Sequence, residues 1–301
     1  MTADAAPPHP PVQEFRYDEG WAARLALVRA SIAAGERNPR RLIAMLRRRD
    51  RHLILWNRVR EGGTHWMRRK VEAGAETWPT GLQAWQLTSY KGNFLKVPTY
   101  ADFQIAALLA ELAEIYGPFD VIVELGCGYG RNLFEMIDQY DDDRVRYVGG
   151  ELAPSGIELA REIAALHEAG DRFSFAPFDH MQPDFSLIGA AQRVLILTVH
   201  SIEQVHRLPT DYFHRLAGAA PEVVGIHIEP FGFQVNPTLG PATVEQIKFF
   251  TTRRWNNNMH RVLRRAEADG ALVVDHVALE CFLPADAINQ SSLAIWHRTA
   301  R

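Results

Sequence analysis

From Pro118 onwards the chain alternates short apolar runs with amphipathic stretches. The runs at 121–124, 146–149, 173–176, 194–198, 223–228 and 272–280 predict strands, and 292–297 predicts a last short one. The stretches at 131–139, 155–168, 208–218 and 243–269 carry apolar residues at spacings of three and four and predict helices. Most of the strand runs are continuously apolar rather than alternating, which suits a parallel sheet covered on both faces. The short link at 283–290 predicts that the last two strands pair antiparallel at one edge. The expected architecture is α/β, a doubly wound and mostly parallel seven-stranded sheet with an antiparallel edge strand.

The first hundred residues read differently. Leu25, Val28 and Ile32, then Leu42, Met45 and Leu46, give helical spacings over 17–36 and 39–60, with a third short helix expected over 64–74. Gly35 and Pro39 separate the first two, and Gly62-Gly63 ends the second. Turn signals punctuate the Trp- and Gly-containing stretch 78–98, and helical periodicity resumes over 101–116 until Gly117-Pro118. The expected division is a disordered, Ala/Pro-rich N-terminus at 1–16, an α-helical extension or lid at 17–100, and a ligand-binding domain at 101–301.

Composition adds bounds. With 47% apolar and 23% charged residues, the chain reads as globular, and no apolar run approaches the about 20 residues that span a bilayer. No secretion signal is recognisable, and two cysteines are too few for a disulfide framework or a cysteine-based zinc site. A cytoplasmic protein without membrane attachment is expected. The net charge of −3 divides unevenly, because residues 21–70 hold 14 Arg and Lys against three acids. That basic segment either forms solvated helix faces or meets an anionic partner such as RNA or a peptide.

The sharpest local signal is Val-Ile-Val-Glu-Leu-Gly-Cys-Gly-Tyr-Gly at 121–130, an apolar strand running into three glycines and then a helix. A dinucleotide fingerprint needs Gly at 131, where this chain has Arg, and the Gly-Lys-Ser/Thr of a phosphate loop is absent. The loop therefore suits a nucleoside without a pyrophosphate. Glu124 can accept from an ammonium or anchor loop amides. Glu151 ends the next strand about 20 residues after the last glycine, where an acid accepts both ribose hydroxyls. Phe178 and Asp179 end the third strand and offer a face for adenine and an acceptor for its amine. These are the requirements of S-adenosylmethionine (SAM).

Here the chain resembles a family. Glu-Leu-Gly-Cys-Gly-Tyr-Gly-Arg-Asn (124–132), Gly-Gly-Glu-Leu-Ala-Pro-Ser-Gly-Ile-Glu-Leu-Ala-Arg (149–161), Phe178-Asp179 and Leu-Thr-Val-His-Ser-Ile-Glu-Gln-Val (197–205) are similar to four ordered motifs of the class I, Rossmann-like SAM-dependent methyltransferases. The resemblance covers about residues 101–300. It implies SAM as cofactor and a binding set of Glu124, Gly126, Cys127, Gly128, Gly130, Asn132, Glu151, Leu152, Phe178, Asp179 and Thr198. The glycines would cradle the methionine part, Glu151 the ribose, and Phe178 with Asp179 the adenine. The fourth motif lacks the Asn/Asp-Pro-Pro-aromatic pattern of many base and amide methylases.

Ligands of open parallel sheets lie beyond the carboxyl ends of the strands. His200 and Glu203 follow the fourth strand, and His227 and Glu229 share one side of the fifth. A hydroxyl acceptor must lose a proton, which suits these four as catalytic candidates, His200 foremost. No metal is expected. Tyr90 and Lys91, and Trp255 and Asn256 in an unusual polar run, are the candidate substrate contacts. The function expected is methyl transfer to an oxygen or nitrogen of a small molecule, natural-product or sugar-like. The alternative is RNA or a peptide held by the basic helices, which would otherwise form a lid or a homodimer surface.

Overall fold

The strand pattern builds a single large sheet in a computed structural model that describes residues 12–58, 63–68, 85–98, 105–140, 142–281 and 290–298. The extension contributes α1 (Val12–Ala33), α2 (Pro39–His52), a hairpin-like pair β1 (Leu53–Arg58) and β2 (Gly63–Arg68), and a second pair β3 (Trp85–Tyr90) and β4 (Asn93–Pro98). The body follows as α3 (Ile105–Tyr116), β5 (Val121–Leu125), α4 (Arg131–Ile137), β6 (Arg146–Glu151), α5 (Pro154–Ala164), β7 (Phe173–Pro177), β8 (Arg193–Val199), α6 (Tyr212–Ala217) and β9 (Glu222–Glu229). It ends with α7 (Gly232–Val235), α8 (Pro241–Arg253), α9 (Met259–Ala268), β10 (Val273–Ala278) and β11 (Ser292–Arg298).

The strand order is β10-β11-β9-β8-β5-β6-β7, with β11 antiparallel to both of its neighbours and the other pairs parallel. This is the expected doubly wound, Rossmann-like sheet, and β5 and β8 meet at its switch point. Ligands of such sheets bind where the order reverses, beyond the ends of those two strands. Side chains of β5 alternate between two buried layers. Ile122 faces the layer shared with α3, α4, α5 and the extension, while Val121 and Val123 face the layer under α6 and α9. All five residues of β5 are buried, which accounts for its unbroken apolar run.

The extension differs from its expected form. The second helix stops at His52, and residues 53–58 pair antiparallel with 63–68, where a helix was expected from 64. Both segments are rich in aromatic and branched residues, so pairing outweighs a helical spacing that is only approximate. The stretch 78–98 contains a hairpin whose turn, Lys91-Gly92, has φ of 48° and 76°, the left-handed pair that two-residue hairpins need. The helix expected over 243–269 is two helices broken around Asn256. Residues 1–11, 69–84 and most of the 283–290 link lie outside the described residues, whereas residues 12–16 belong to α1.

The two long helices of the extension pack on the body. Leu25, Val28, Leu42, Ile43 and Leu46 are buried in the same layer as α4 and α5. Their arginines meet the body's acids: Arg29 bonds Glu158 and Glu162, Arg40 pairs with both carboxylate oxygens of Asp138 at 2.9 and 2.7 Å, and Arg47 lies 3.2 Å from Glu135. Exposed pairs such as those of Arg29 and Arg40 contribute little to stability, and the Arg47–Glu135 pair is partly buried.

The tightest packing in the sheet lies at Gly225, opposite Trp296 across β9 and β11. A Cβ there would fall 2.1 Å from the indole. The ring cannot retreat, because it is fully buried and its Nε1–H donates to His227 Nε2 at 2.9 Å. Gly225→Ala is expected to destabilise the chain by about 1–3 kcal/mol, read as a lower urea midpoint at unchanged slope; a midpoint equal to that of the parent chain would contradict this packing.

Candidate functional site

The first turn after β5 is built from backbone that only glycine adopts easily. Gly126, Gly128 and Gly130 have φ of 78°, 57° and 77°, and the amides of Gly126 and Cys127 both donate to Gly150 O of β6, at 2.7 and 3.0 Å. The turn is therefore stitched to the neighbouring strand. At Gly126 a Cβ would lie 2.2 Å from Ser201 Cβ, so the glycine lets the loop after β8 come into contact with the end of β5. At Gly128 a Cβ would lie 2.7 Å from the Trp21 ring of α1.

Glu124, just before the turn, is buried. Its Oε1 accepts from Asn132 Nδ2 at 2.5 Å, and its Oε2 has no hydrogen-bond partner. Burial pushes the carboxyl up to about 8, against the opposing Asn132 bond. An orphaned acceptor this deep under a glycine turn matches a ligand that brings a cationic donor. Glu151 at the end of β6 uses Oε2 for Gly128 N at 2.7 Å and Oε1 for Ala153 N at 2.9 Å, and burial still raises its pKa. Each oxygen keeps a second lone pair. Beyond it, Phe178 is buried against Gly150, Asp179 Oδ1 caps the amide of Met181 at 2.8 Å, and Leu152 is exposed. Cys127 is buried, and burial pushes its thiol well above the ordinary value, which leaves it a space-filler.

α1 closes this side in a way that no local pattern suggested. Trp21 lies over Gly128 and 3.4 Å from the Cβ position of Gly156, edge-on to Tyr129. Asp18 Oδ1 accepts from Ser155 N at 2.7 Å in the first turn of α5. A helix N-terminus with free amides favours such a carboxylate.

On the other side of Gly126 the ends of β8 and β9 gather three of the four catalytic candidates. Glu229 accepts from the amides of Ser201, Ile202 and Glu203 at 3.0, 3.2 and 3.3 Å, and so binds the loop after β8 to the end of β9. Burial, with Glu203 adding, lifts its carboxyl to about 7. His200, with a left-handed φ of 52°, places Nδ1 3.2 Å from Glu203 Oε2 and Nε2 2.5 Å from Ser291 Oγ. His227 stands apart. Trp296 Nε1 can only donate, so His227 Nε2 accepts and its Nδ1–H donates to Thr198 Oγ1 at 2.9 Å. Both ring nitrogens and the Thr198 hydroxyl are thus engaged inside the sheet. Burial lowers the His227 pKa to about 3.

His180 is a site-side histidine that the sequence reading passed over. Ser201 Oγ donates to Leu125 O at 2.8 Å, so His180 Nε2–H donates to Ser201 at 3.3 Å and Nδ1 accepts from Tyr212 at 2.8 Å. Burial holds it neutral, with its pKa down to about 3. Its only sequence signal was its place beside Asp179.

The four substrate-contact candidates do not come together. Asn256 is buried, with Oδ1 accepting from Asn258 and Met259 amides at 3.1 and 2.9 Å and its own amide donating to Glu203 O at 2.8 Å. It caps the start of α9 and fastens it to the loop after β8. Trp255 packs edge-on to Phe249 and Phe250. Lys91 is exposed, its ammonium 5.2 Å from the Tyr90 ring, at the tip of a hairpin whose Gly92 amide donates to Glu280 at 2.6 Å. Among the described residues no three His, Cys, Asp or Glu side chains group to hold a metal, and no helix is long and apolar enough to cross a membrane.

No family model and no curated protein matches the chain. Among solved structures it is similar to a geranyl diphosphate methyltransferase in complex with GPP and sinefungin, at 15% identity over 64% of this chain and 75% of that one, with a TM-score of 0.45. The geranyl diphosphate C-methyltransferase of Streptomyces coelicolor A3(2) gives 15% identity, 65% and 79% coverage and a TM-score of 0.44. An O-methyltransferase family protein from Burkholderia thailandensis gives 14% identity, 65% and 57% coverage and a TM-score of 0.41. The fold of this chain rests on its own strand order, and its chemistry on its own residues.

Four of the buried titrating groups pull stability in opposite directions. His180 and His227, held near 3 against an ordinary 6.5, bind fewer protons folded than unfolded, so their contribution rises with pH between about 3 and 6.5. Glu124 and Glu229, raised from 4.5 to about 8 and about 7, bind more protons folded, so their contribution falls as pH rises above 4.5. The share of stability due to these groups is expected to climb up to pH 4.5, level off, and decline from 6.5 to 8. Urea midpoints of the parent chain, compared with those of Glu124→Gln, would show the decline reduced in the variant; equal declines would contradict a buried, protonated Glu124.

Proposed function

We propose that this protein is a SAM-dependent methyltransferase acting on a hydroxyl or amine of a small molecule. The observation that carries the reading is the unpartnered Oε2 of Glu124, buried beneath a glycine turn at the switch point. Glu124 would receive the ammonium of the cofactor, the glycine turn closed by Ser201 and Trp21 would bound its methionine part, and Glu151 would take the ribose hydroxyls with its spare lone pairs. Phe178 and Asp179 would bound the adenine, and Trp21 with Asp18 would wall the cleft from the extension side.

When bound, the cofactor supplies a methyl on a sulfonium, and the protein's task is alignment of the nucleophile for an in-line displacement. The loop carrying His200 and Ser201 touches Gly126, so the acceptor side and the cofactor turn adjoin. His200 is the residue we assign as general base, with Glu203 on its far nitrogen stabilising the imidazolium. Glu229 holds the loop's amides, and His227 holds β8, β9 and β11 together.

The reading in which the basic segment grips RNA or a peptide loses support from the ion pairs. Arg29, Arg40 and Arg47 face Glu158, Glu162, Asp138 and Glu135 of the body, so part of the positive charge is answered within the chain. A lid that docks by charge and by a buried apolar face accounts for the extension without a polymer.

Calorimetry with S-adenosylhomocysteine (SAH) tests the reading without knowledge of the acceptor. The parent chain is expected to bind, and Glu151→Ala to lose more than about tenfold in affinity, roughly 1.5–3 kcal/mol for charge-assisted bonds. Affinity is expected to rise with pH towards 8 as Glu124 ionises, and Glu124→Gln to abolish that rise. Absence of SAH binding by the parent chain would overturn the assignment.

A further inference from the structure

Ser291 precedes β11 at the end where that strand meets the carboxyl end of β9, its neighbour Ser292 being the register partner of Glu229. It is buried, and its carbonyl accepts from Cys281 N at 3.1 Å. Its Oγ lies 2.5 Å from His200 Nε2, while His200 Nδ1 lies 3.2 Å from Glu203 Oε2. A carboxylate only accepts, so Nδ1 carries the proton, Nε2 presents a lone pair, and the Ser291 hydroxyl donates to it. The backbone is fixed as tightly as the ring. His200 holds a φ of 52°, uncommon for a residue with a Cβ, and its amide donates to Ile228 O at 3.0 Å. Glu203 is held by its amide on Glu229 and its carbonyl on Asn256.

We propose that Ser291 is a positioning residue for His200: with Glu203 it presets the imidazole as the Nδ1–H tautomer and reserves Nε2 for a hydroxyl. This rests on the reading of His200 as general base. Ser291 occupies, with an O–H, the place an acceptor hydroxyl takes over. In the reaction the acceptor's O–H bond breaks and its proton passes to Nε2, while the new O–CH3 bond forms and the C–S bond breaks, its electron pair leaving neutral sulfur. The imidazolium then sits against Glu203. A hydroxyl, rather than an amine, is the acceptor group for which this arrangement is built. Among the described residues, the charged and titrating groups near the ring include Glu203 on Nδ1, Glu229 on β9, and His180 on the far side of Ser201.

The test is the tautomer of His200 in the full chain labelled with 15N-histidine, assigned through His200→Gln, with no ligand added. The parent chain is expected to show Nδ1–H alone. Ser291→Ala is expected to lose that exclusivity and show Nε2–H as well, Ser291→Thr to restore it, and circular dichroism to confirm that each is folded. A parent chain already carrying Nε2–H, or a Ser291→Ala chain with an unchanged tautomer, would overturn the proposal. SAH calorimetry on the same samples separates the two readings. Ser291→Ala is expected to bind as the parent does; failure of the parent to bind removes the methyltransferase reading, and with it the catalytic meaning of a tautomer that still obeys Ser291.

Discussion

Glu229 is the point on which the rest of the site depends. One buried carboxylate accepts three consecutive backbone amides and thereby joins the end of β9 to the loop after β8. That loop in turn lies against Gly126 and donates from Ser201 to Leu125 O, so the turn that would hold a cofactor and the loop that carries His200 are one connected unit. Burying a charge is costly unless its lone pairs are met, and here backbone N–H groups meet them. The raised carboxyl of Glu229 reflects the remaining cost of burial.

A second constraint is electrostatic and spans the whole chain. A segment with 14 Arg and Lys against three acids precedes a body carrying the balancing negative charge, and its helices α1 and α2 pack on that body. The extension uses some of that charge to dock: Arg29 on α5, Arg40 and Arg47 on α4 and the residue after it. The apolar residues between those arginines supply the area of contact, and the arginines set its register. Docked in this way, α1 delivers Trp21 over Gly128 and Asp18 to the first turn of α5.

Much of the polar chemistry near the site is devoted to holding strands and loops. His227 is locked between Thr198 and Trp296, His180 between Tyr212 and Ser201, and Asn256 between α9 and Glu203. The groups with capacity to spare are few, the open oxygen of Glu124 and the spare lone pairs of Glu151, while the Nε2 of His200 is engaged by Ser291. Rigid support of a few reactive atoms is what alignment of a nucleophile requires.

The sheet, its antiparallel edge and the glycine turn were legible in the sequence, because each depends on neighbours within a few residues: apolar runs for buried strands, φ-permissive glycines for the turn, an acid at a strand end. The placement of β1 and β2 was not, since their pairing partner rather than their own spacing decides between helix and strand. Nor were the roles of His200, His227 and Asn256 separable. All are polar residues near strand or helix ends, and only their partners distinguish a ring preset by Ser291, 91 residues away, from one sealed by Trp296, 69 residues away. The same holds for Trp21 over Gly128 and for the arginines, whose charge was visible while its destination was not. Sequence alone determined the local elements and the residue types available for chemistry. The tertiary structure decided which of them keep a free lone pair, because hydrogen-bond partners distant in sequence are chosen by packing.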